Sequence, residues 1–424
     1  MRIRVVLCSL LAGVLCTAAA SAAVYVVQSP TETALVDALT NPNLQNGDVI
    51  HIPRGTYAVT SWSTVTLNHE LTITGDGMGA TVIQNSGSSP IFLEVRNTLQ
   101  IRGLTLEGFG RVFDLDNQML SAISFTAEEV HIKDSAKGFE WISDSGAANR
   151  LAIRNCVLEN IAGPAIQLRP FTLEHAEIVG NVIDGAYNRG IALGANAISD
   201  AQHWKHVLVA NNRVRQIRPS DPINDTTTTQ FGIIVYGEEA VITGNRIEDV
   251  YGANDNAGDS YAGIYTKCRS CTISDNVIRD AGPGWGITIK GSTRSDTSGT
   301  YGYGGIVANN QVYITDSPPP GLTNKVFGGI RINNEDVTVM GNHIEGTTHD
   351  AFMVGNSAEN NVALVNNSVV NSARGIRSLG SAHTNFLVTG NRFIDVTSIY
   401  NGLDYQGICK DNLPSNPTTT ECSP

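Results

Sequence analysis

Positive charge is scarce in this chain: 28 Lys and Arg face 40 Asp and Glu, a formal net charge of −12 over 424 residues. That balance excludes a general affinity for nucleic-acid phosphates, which requires a basic surface. Charge of either sign is thin, at 16% of residues. Long apolar runs are also missing. The stretch from Ile3 to Val14, flanked by Arg2 and Arg4, is too short to be favoured as a membrane span. It precedes the small-residue site Ala20-Ser21-Ala22, so residues 1–22 read as an export leader and the rest as a secreted chain of bacterial type with no membrane partner. Losing Arg2 and Arg4 leaves 26 basic residues against 40 acidic ones, a mature charge of −14. Cysteine is sparse, with five residues beyond the leader. Cys409 and Cys422 are placed to close a loop around a Pro/Thr/Asn-rich tail in an oxidising compartment. The Cys268-Arg-Ser-Cys271 turn lacks the βαβ setting of a redox motif and reads as a turn clip or two free thiols. Cys156 reads as a small buried apolar residue.

What the chain does have is a repeat. Nine times an apolar strand meets an asparagine, then another apolar residue, and often a Gly-Ile pair. The anchors are Asn155, Asn181, Asn212, Asn245, Asn276, Asn310, Asn342, Asn367 and Asn391, 24 to 34 residues apart. This period predicts a solenoid whose coils bury their apolar faces only by stacking. Abundant Gly and Asn suit short strands joined by tight turns. The segment 271–290 predicts one coil of short strands, with Ile287 and Ile289 inward and Thr288 and Lys290 outward. Stacked asparagines at one corner are expected to bond one another and the neighbouring backbone.

These repeats, over roughly residues 150–395, resemble the right-handed parallel β-helix of the pectate-lyase-like superfamily. The opening segments Gly47–Tyr57 and Leu71–Ile83 resemble the first coils of such proteins. The resemblance implies an all-β, single-chain right-handed parallel β-helix over residues 23–400. A short helix at Thr31–Leu39 would cap it, and residues 401–424 would form a tail or cap. It implies no single chemistry, since the fold hosts lyases, hydrolases, epimerases and inert surface proteins.

Intervals longer than the minimal coil place extra loops at about 218–230, 250–261 and 315–327, all before a Gly-Ile strand. In the superfamily this resembles the corner whose loops border a polysaccharide groove. Aligning the Gly-Ile strands at the isoleucine gives two outward columns. One holds Arg169, Tyr236, Lys267, Lys290 and Asn333; the other holds Tyr265, Thr288 and Arg331. Lys267 and Lys290 should therefore be neighbours on adjacent coils, near Arg331 and two tyrosines. On an acidic chain, that cluster points to an acidic polysaccharide.

Cleavage of a polyuronate by β-elimination needs a carboxylate neutraliser, a base and an acid. Lys267 or Lys290 is the expected base, with Arg331 as neutraliser and Tyr265 or Tyr236 as acid. Arg169, Tyr236 and Asn333 are the expected substrate contacts, and Trp285, just before a Gly-Ile strand, is expected either to join them by stacking on a sugar or to pack a turn. The strands Ile264-Tyr-Thr-Lys267-Cys and Ile287-Thr-Ile-Lys290-Gly are similar in layout to those of alginate and chondroitin lyases of this fold. Those lyases carry an arginine where Lys290 stands, and acidic calcium ligands where Ser260 and Ala262 stand. Asp255 and Asp259 remain as oxygen ligands for a Ca2+ ion, the one cofactor considered. His349-Asp350 sits at the same corner without the Asp-Pro-His context of alginate epimerases. The leading expectation is a monomeric lyase or binder of acidic polysaccharide. A non-catalytic carbohydrate-binding surface protein is the alternative, and a hydrolase or C5-epimerase stands third.

Overall fold

A computed structural model describes residues 22–414 apart from 88–89, 116–121, 143–145, 195–202, 220–228, 253–260, 291, 294–299, 302, 316–326, 356–360, 380–382, 402–404 and 411. Among the described residues, 39 strands join in one continuous, parallel-paired sheet that coils upon itself, and only one helix occurs. That helix, Glu32–Leu39, begins where the sequence placed it. The Thr31 hydroxyl caps it by accepting from the Ala34 N–H at 3.3 Å, and Leu35 and Leu39 close the first coils. No helix of the described residues is long and apolar enough to cross a membrane.

Each full coil contributes three outward-facing surfaces. The Gly-Ile strands, such as Gly284–Lys290 and Phe327–Asn333, form the first, hereafter the floor. The chain then bends into a second sheet. The strands Gln230–Thr243 and Tyr261–Ser274 run through both without a break. A turn at the asparagine leads to the third sheet, which includes Arg213–Arg218 and Arg246–Tyr251. Inward positions carry the β-branched and aromatic residues of the repeat. Ile233, Ile264, Ile287 and Ile330 stack in register at 0% exposure. Nearer the N-terminus, Phe113 and Phe139 stack at 5.2 Å between centroids.

The asparagine corner is a continuous ladder. Asn245 Nδ2 donates to Asn276 Oδ1 at 2.9 Å and to the Val209 carbonyl at 2.9 Å, and the Asn245 N–H also donates to Asn276 Oδ1. The pattern repeats from Asn181 to Asn391, all essentially buried. Its ends differ from the sequence expectation. Asn155 is not a rung: it takes the positive-φ turn position (φ 53°), and buried Cys156 occupies the ladder site, its N–H donating to Asn181 Oδ1. At the other end, Asn412 adds a rung beyond Asn391, and strands reach Leu413–Pro414. The coils thus continue past the expected boundary at 400.

Candidate functional site

Glycine at the start of each floor strand decides which side chains face out. A Cβ at Gly232 would come within 2.7 Å of Ile247 in the core, and one at Gly263 equally close to Ile278. The glycine and the following isoleucine therefore both turn inward. The residues before the glycine, one after the isoleucine and three after it point out as three columns.

Register confirms the expected rows. Tyr236, Lys267, Lys290 and Asn333 are successive partners, as are Ile234, Tyr265, Thr288, Arg331 and Met353. Lys267 and Lys290 thus stand one rung apart, about 4.8 Å between backbones. The outermost column adds Arg189, paired with Phe231, which sequence alignment at the isoleucine passed over. From the coil of Arg169 to that of Arg331 the three floor columns hold five cations: Arg169, Arg189, Lys267, Lys290 and Arg331. They hold no carboxylate.

The electrostatics follow from crowding. Burial pushes the Tyr236 phenol up, while the Arg189 and Arg169 guanidiniums pull the other way. Burial also lowers Arg189, which the Tyr236 oxygen opposes and Arg169 reinforces. Lys267 Nζ lies 5.4 Å from the Tyr236 ring centroid, a cation–π contact. Arg331 is 7% exposed, and its Nε donates to Asn333 Oδ1 at 3.4 Å. Arg169, Lys267, Lys290 and Asn333 are half-buried.

The aromatic side chains depart from expectation. Tyr236 and Tyr265 are 7% and 4% exposed and pack with Phe231, Ile234, Ala192 and Ala262 in an apolar cluster outside the core. They form a greasy bed under the cations rather than open faces for sugar rings. Tyr265 in particular is too enclosed to serve as a freely accessible acid. Trp285 is 2% exposed and its ring lies over Gly328, where a Cβ would come within 2.3 Å. It fills a turn instead of meeting a ligand.

The ends of the floor carry groups that sequence reasoning missed. Towards the N-terminus, Glu94, Asp114 and Glu140 form one row of adjacent rungs. All are held by cations: Arg96 and the Thr66 hydroxyl on Glu94, Arg111 bridging Asp114 and Glu140, and Lys137 on Glu140 at 2.7 Å. Towards the C-terminus, Asp350 is fully buried among His349 Nδ1 (2.6 Å), Arg374 Nε (2.6 Å) and Arg377 (3.7 Å). The angles at the two short contacts fall outside those of good hydrogen bonds, so the cluster is chiefly ionic.

The three long connections all leave the third sheet and enter the floor at one corner, after Arg218, Tyr251 and Tyr313. Their central parts, with Asp255 and Asp259, lie outside the described residues, as do Cys422 and the side chain of Cys409. Cys268 and Cys271 are joined as a disulfide directly after Lys267, with Cα atoms 5.9 Å apart. Among the described residues no three His, Cys, Asp or Glu side chains converge as a metal site would.

A family model described as a right handed beta helix region matches residues 198–393. No curated protein matches the chain in sequence. Among solved structures it is similar to the catalytic unit of the thermostable GH87 alpha-1,3-glucanase from Streptomyces thermodiastaticus strain HF3-3, with 16% identity and a TM-score of 0.53. That match covers 88% of this chain and 69% of the glucanase unit. A weaker likeness links it to the A-module of the Azotobacter vinelandii mannuronan C-5 epimerase AlgE4. There the identity is 13%, the coverage 89% and 91%, and the TM-score 0.41. At such identity the glucanase likeness speaks of fold alone. Together with the strand register and the matched repeat region, it makes this chain a right-handed parallel β-helix protein.

Proposed function

We propose that this is an exported carbohydrate-active β-helix that binds an acidic polysaccharide along the floor and cleaves it by β-elimination. The observation that carries the reading is the gathering of five cations in the floor columns between the coils of Arg169 and Arg331, on a chain of net charge −12. In a protein with so few basic residues, gathering them on one face favours an anionic chain laid across it. Arg331, buried beneath the row, lends its positive charge to the uronate carboxylate held above it and so helps acidify the C5 proton. One of Lys267 and Lys290, in its neutral form, takes that proton. The C4–O bond breaks, a C4–C5 double bond forms, and the leaving oxygen takes a proton from the other lysine as its ammonium form. The buried tyrosines hold the lysine stems rather than supply that proton. Asp255 and Asp259, outside the described residues, would be the ligands of a Ca2+ ion, whose charge would aid neutralisation; adding chelator tests this.

The test is ultraviolet absorbance of the unsaturated product during incubation with a panel of polyuronates, alongside binding at rising salt. The expected result is product formation abolished in Lys267→Ala and Lys290→Ala, with binding that weakens as salt screens it. Salt-sensitive binding without product would leave a carbohydrate-binding protein and remove the lyase. Absence of both would refute the reading.

One observation favours a second reading. Glu94 and Glu140 lie two rungs apart, about 10 Å, at the upper edge of the spacing that admits a hydrolytic water. It ranks second because Arg96, Arg111 and Lys137 already hold these carboxylates. Release of reducing ends that Glu94→Gln and Glu140→Gln each abolish would promote it.

A further inference from the structure

The second sheet has a different character from the other two. Its outward positions form two columns. One runs Leu208, Val241, Thr272, Ile306, Thr338, Ala363 and on to Leu387. The other lies two residues along the strands and includes Thr243, Ser274, Ala308 and Met340. Neither column holds a charged side chain from Val179 to Thr389. The third sheet, over the same coils, is dense with charge, among it Arg215 with Asp184 and Arg246 with Glu248. Charge returns at the margins of the second sheet: Arg150 and Arg154 hold Glu177 at the N-terminal end, Lys410 follows Thr389 at the C-terminal end, and Glu239 and Asp336 line the edge next to the floor. Three of the eight most exposed large apolar side chains of the described residues lie on this face: Val241 (41%), Ile306 (43%) and Met340 (38%).

We infer that this face is a self-association surface, on which a second copy of the chain packs sheet against sheet about a two-fold axis. Three features favour a second copy as the occupant. Two chains of net charge −12 repel wherever charged faces meet, and the two middle columns of this sheet bring no like charges into opposition, the acids Glu239 and Asp336 lying at its edge. Its first column alternates bulky and hydroxyl residues, Val241, Thr272, Ile306 and Thr338, so a copy in the reverse direction can seat its aliphatic side chains over the partner's threonines. A two-fold contact needs this kind of self-complementary patch. Finally, the face is flat and about 30 Å long, six rungs from Leu208 to Leu387. Pairing would bury on the order of 1,000 Å² in total, the low end of specific interfaces, and so a weak dimer. Because the floor is a separate sheet, both copies keep their basic rows open. The single-chain state expected from sequence gives way here to a monomer–dimer equilibrium.

Sedimentation velocity of the purified chain across the micromolar range tests this. The expected result is a reversible shift to dimer that Ile306→Glu and Met340→Glu each weaken at least tenfold. Both sites are solvent-exposed, so thermal melts of the variants should match the parent; Thr338→Arg is the substitute if either fails to fold. Added salt should leave the dimer intact or strengthen it, since no ion pair holds it. A monomer at every concentration would overturn the proposal. So would a dimer that Ile306→Glu leaves unchanged, or one that dissolves with Lys267→Ala.

Discussion

Replacing Asn276 by Ala removes one rung from the middle of the corner ladder, and the loss can be worked out atom by atom. Asn276 Nδ2 donates to the Ile242 carbonyl and to Asn310 Oδ1, each at 2.9 Å. Its Oδ1 accepts from the N–H and the Nδ2 of Asn245, each at 2.9 Å. After the change Asn245 Nδ2 keeps the Val209 and Thr243 carbonyls, and Asn310 Oδ1 keeps the Asn276 N–H. The Asn245 N–H loses its acceptor in a site that water does not reach, and the Ile242 carbonyl loses a donor. At about 1–3 kcal/mol for each of the two stranded groups, the cost is about 2–6 kcal/mol. Asn276→Asp should cost at least as much, because the acceptor survives but a second oxygen then faces Ile242 and Asn310. A solenoid need not unfold in one step, so amide exchange at residues 242–247 is the better assay than a single melting point. A loss below about 1 kcal/mol for Asn276→Ala would mean that the rung's hydrogen bonds are readily replaced by water. The ladder would then not be what fixes the register of Lys267 on Lys290.

The remaining predictions probe other buried or paired groups. Asp350→Ala leaves Arg374, Arg377 and His349 around an empty centre and should cost about 3–5 kcal/mol in equilibrium unfolding, the usual result of stripping a partner from a buried ion cluster. Glu177 sits below the usual carboxylate range because Arg154 hydrogen-bonds it, aided by Arg150. Its contribution is therefore present above its unfolded value and lost as pH falls through the lower folded one. Arg154→Ala should lower stability modestly at neutral pH, since the pair is partly solvated, and the gap between parent and variant should close as pH falls below about 4. Burial raises the Cys156 thiol to about 12. The folded chain should resist thiol reagents at neutral pH at this site, and denaturant should restore labelling.

Much of this architecture was legible because a solenoid writes its fold once per coil. The asparagine period gave the corner, and Gly-Ile alignment gave the Lys267–Lys290 and Tyr265–Thr288–Arg331 rows. The misplacement of Asn155 has a local reason: asparagine also suits the positive-φ turn position just before the rung, and only the rung residue, here Cys156, reveals the phase. The tyrosines were read correctly as outward but wrongly as open, and of the two roles offered for Trp285 its burial fits the turn. Alternation fixes direction, whereas cover depends on neighbours such as Phe231 and Gly328 from other coils. The row of Glu94, Asp114 and Glu140 escaped notice because its strands read Phe-Leu, Val-Phe and Gly-Phe in place of Gly-Ile. Arg189 escaped because it precedes the glycine that anchors the alignment. The buried centre at Asp350 drew notice only as a His-Asp dipeptide, since Arg374 and Arg377 reach it from the next coil.

Stacking makes each outward column an independent record, and here the sheets have been filled differently. The floor gathers cations, the third sheet pairs them internally with acids, and the two middle columns of the second sheet carry no charge from Val179 to Thr389. If the floor serves a ligand and the second sheet a second copy, the two should be separable, since their side chains point outward from different sheets. Lys267→Ala should then weaken polyuronate binding without shifting the monomer–dimer balance, and Ile306→Glu should do the reverse. The double variant should show the sum of the two effects to within about 0.5 kcal/mol, as for distant sites. The strands 230–243 and 261–274 are the place where this could fail, because they cross from floor to second sheet in one piece. A larger coupling would mean that a ligand on the floor shifts those strands enough to be felt on the pairing face. In that case binding and self-association would be linked, and polyuronate itself should change the dimer population in the parent chain.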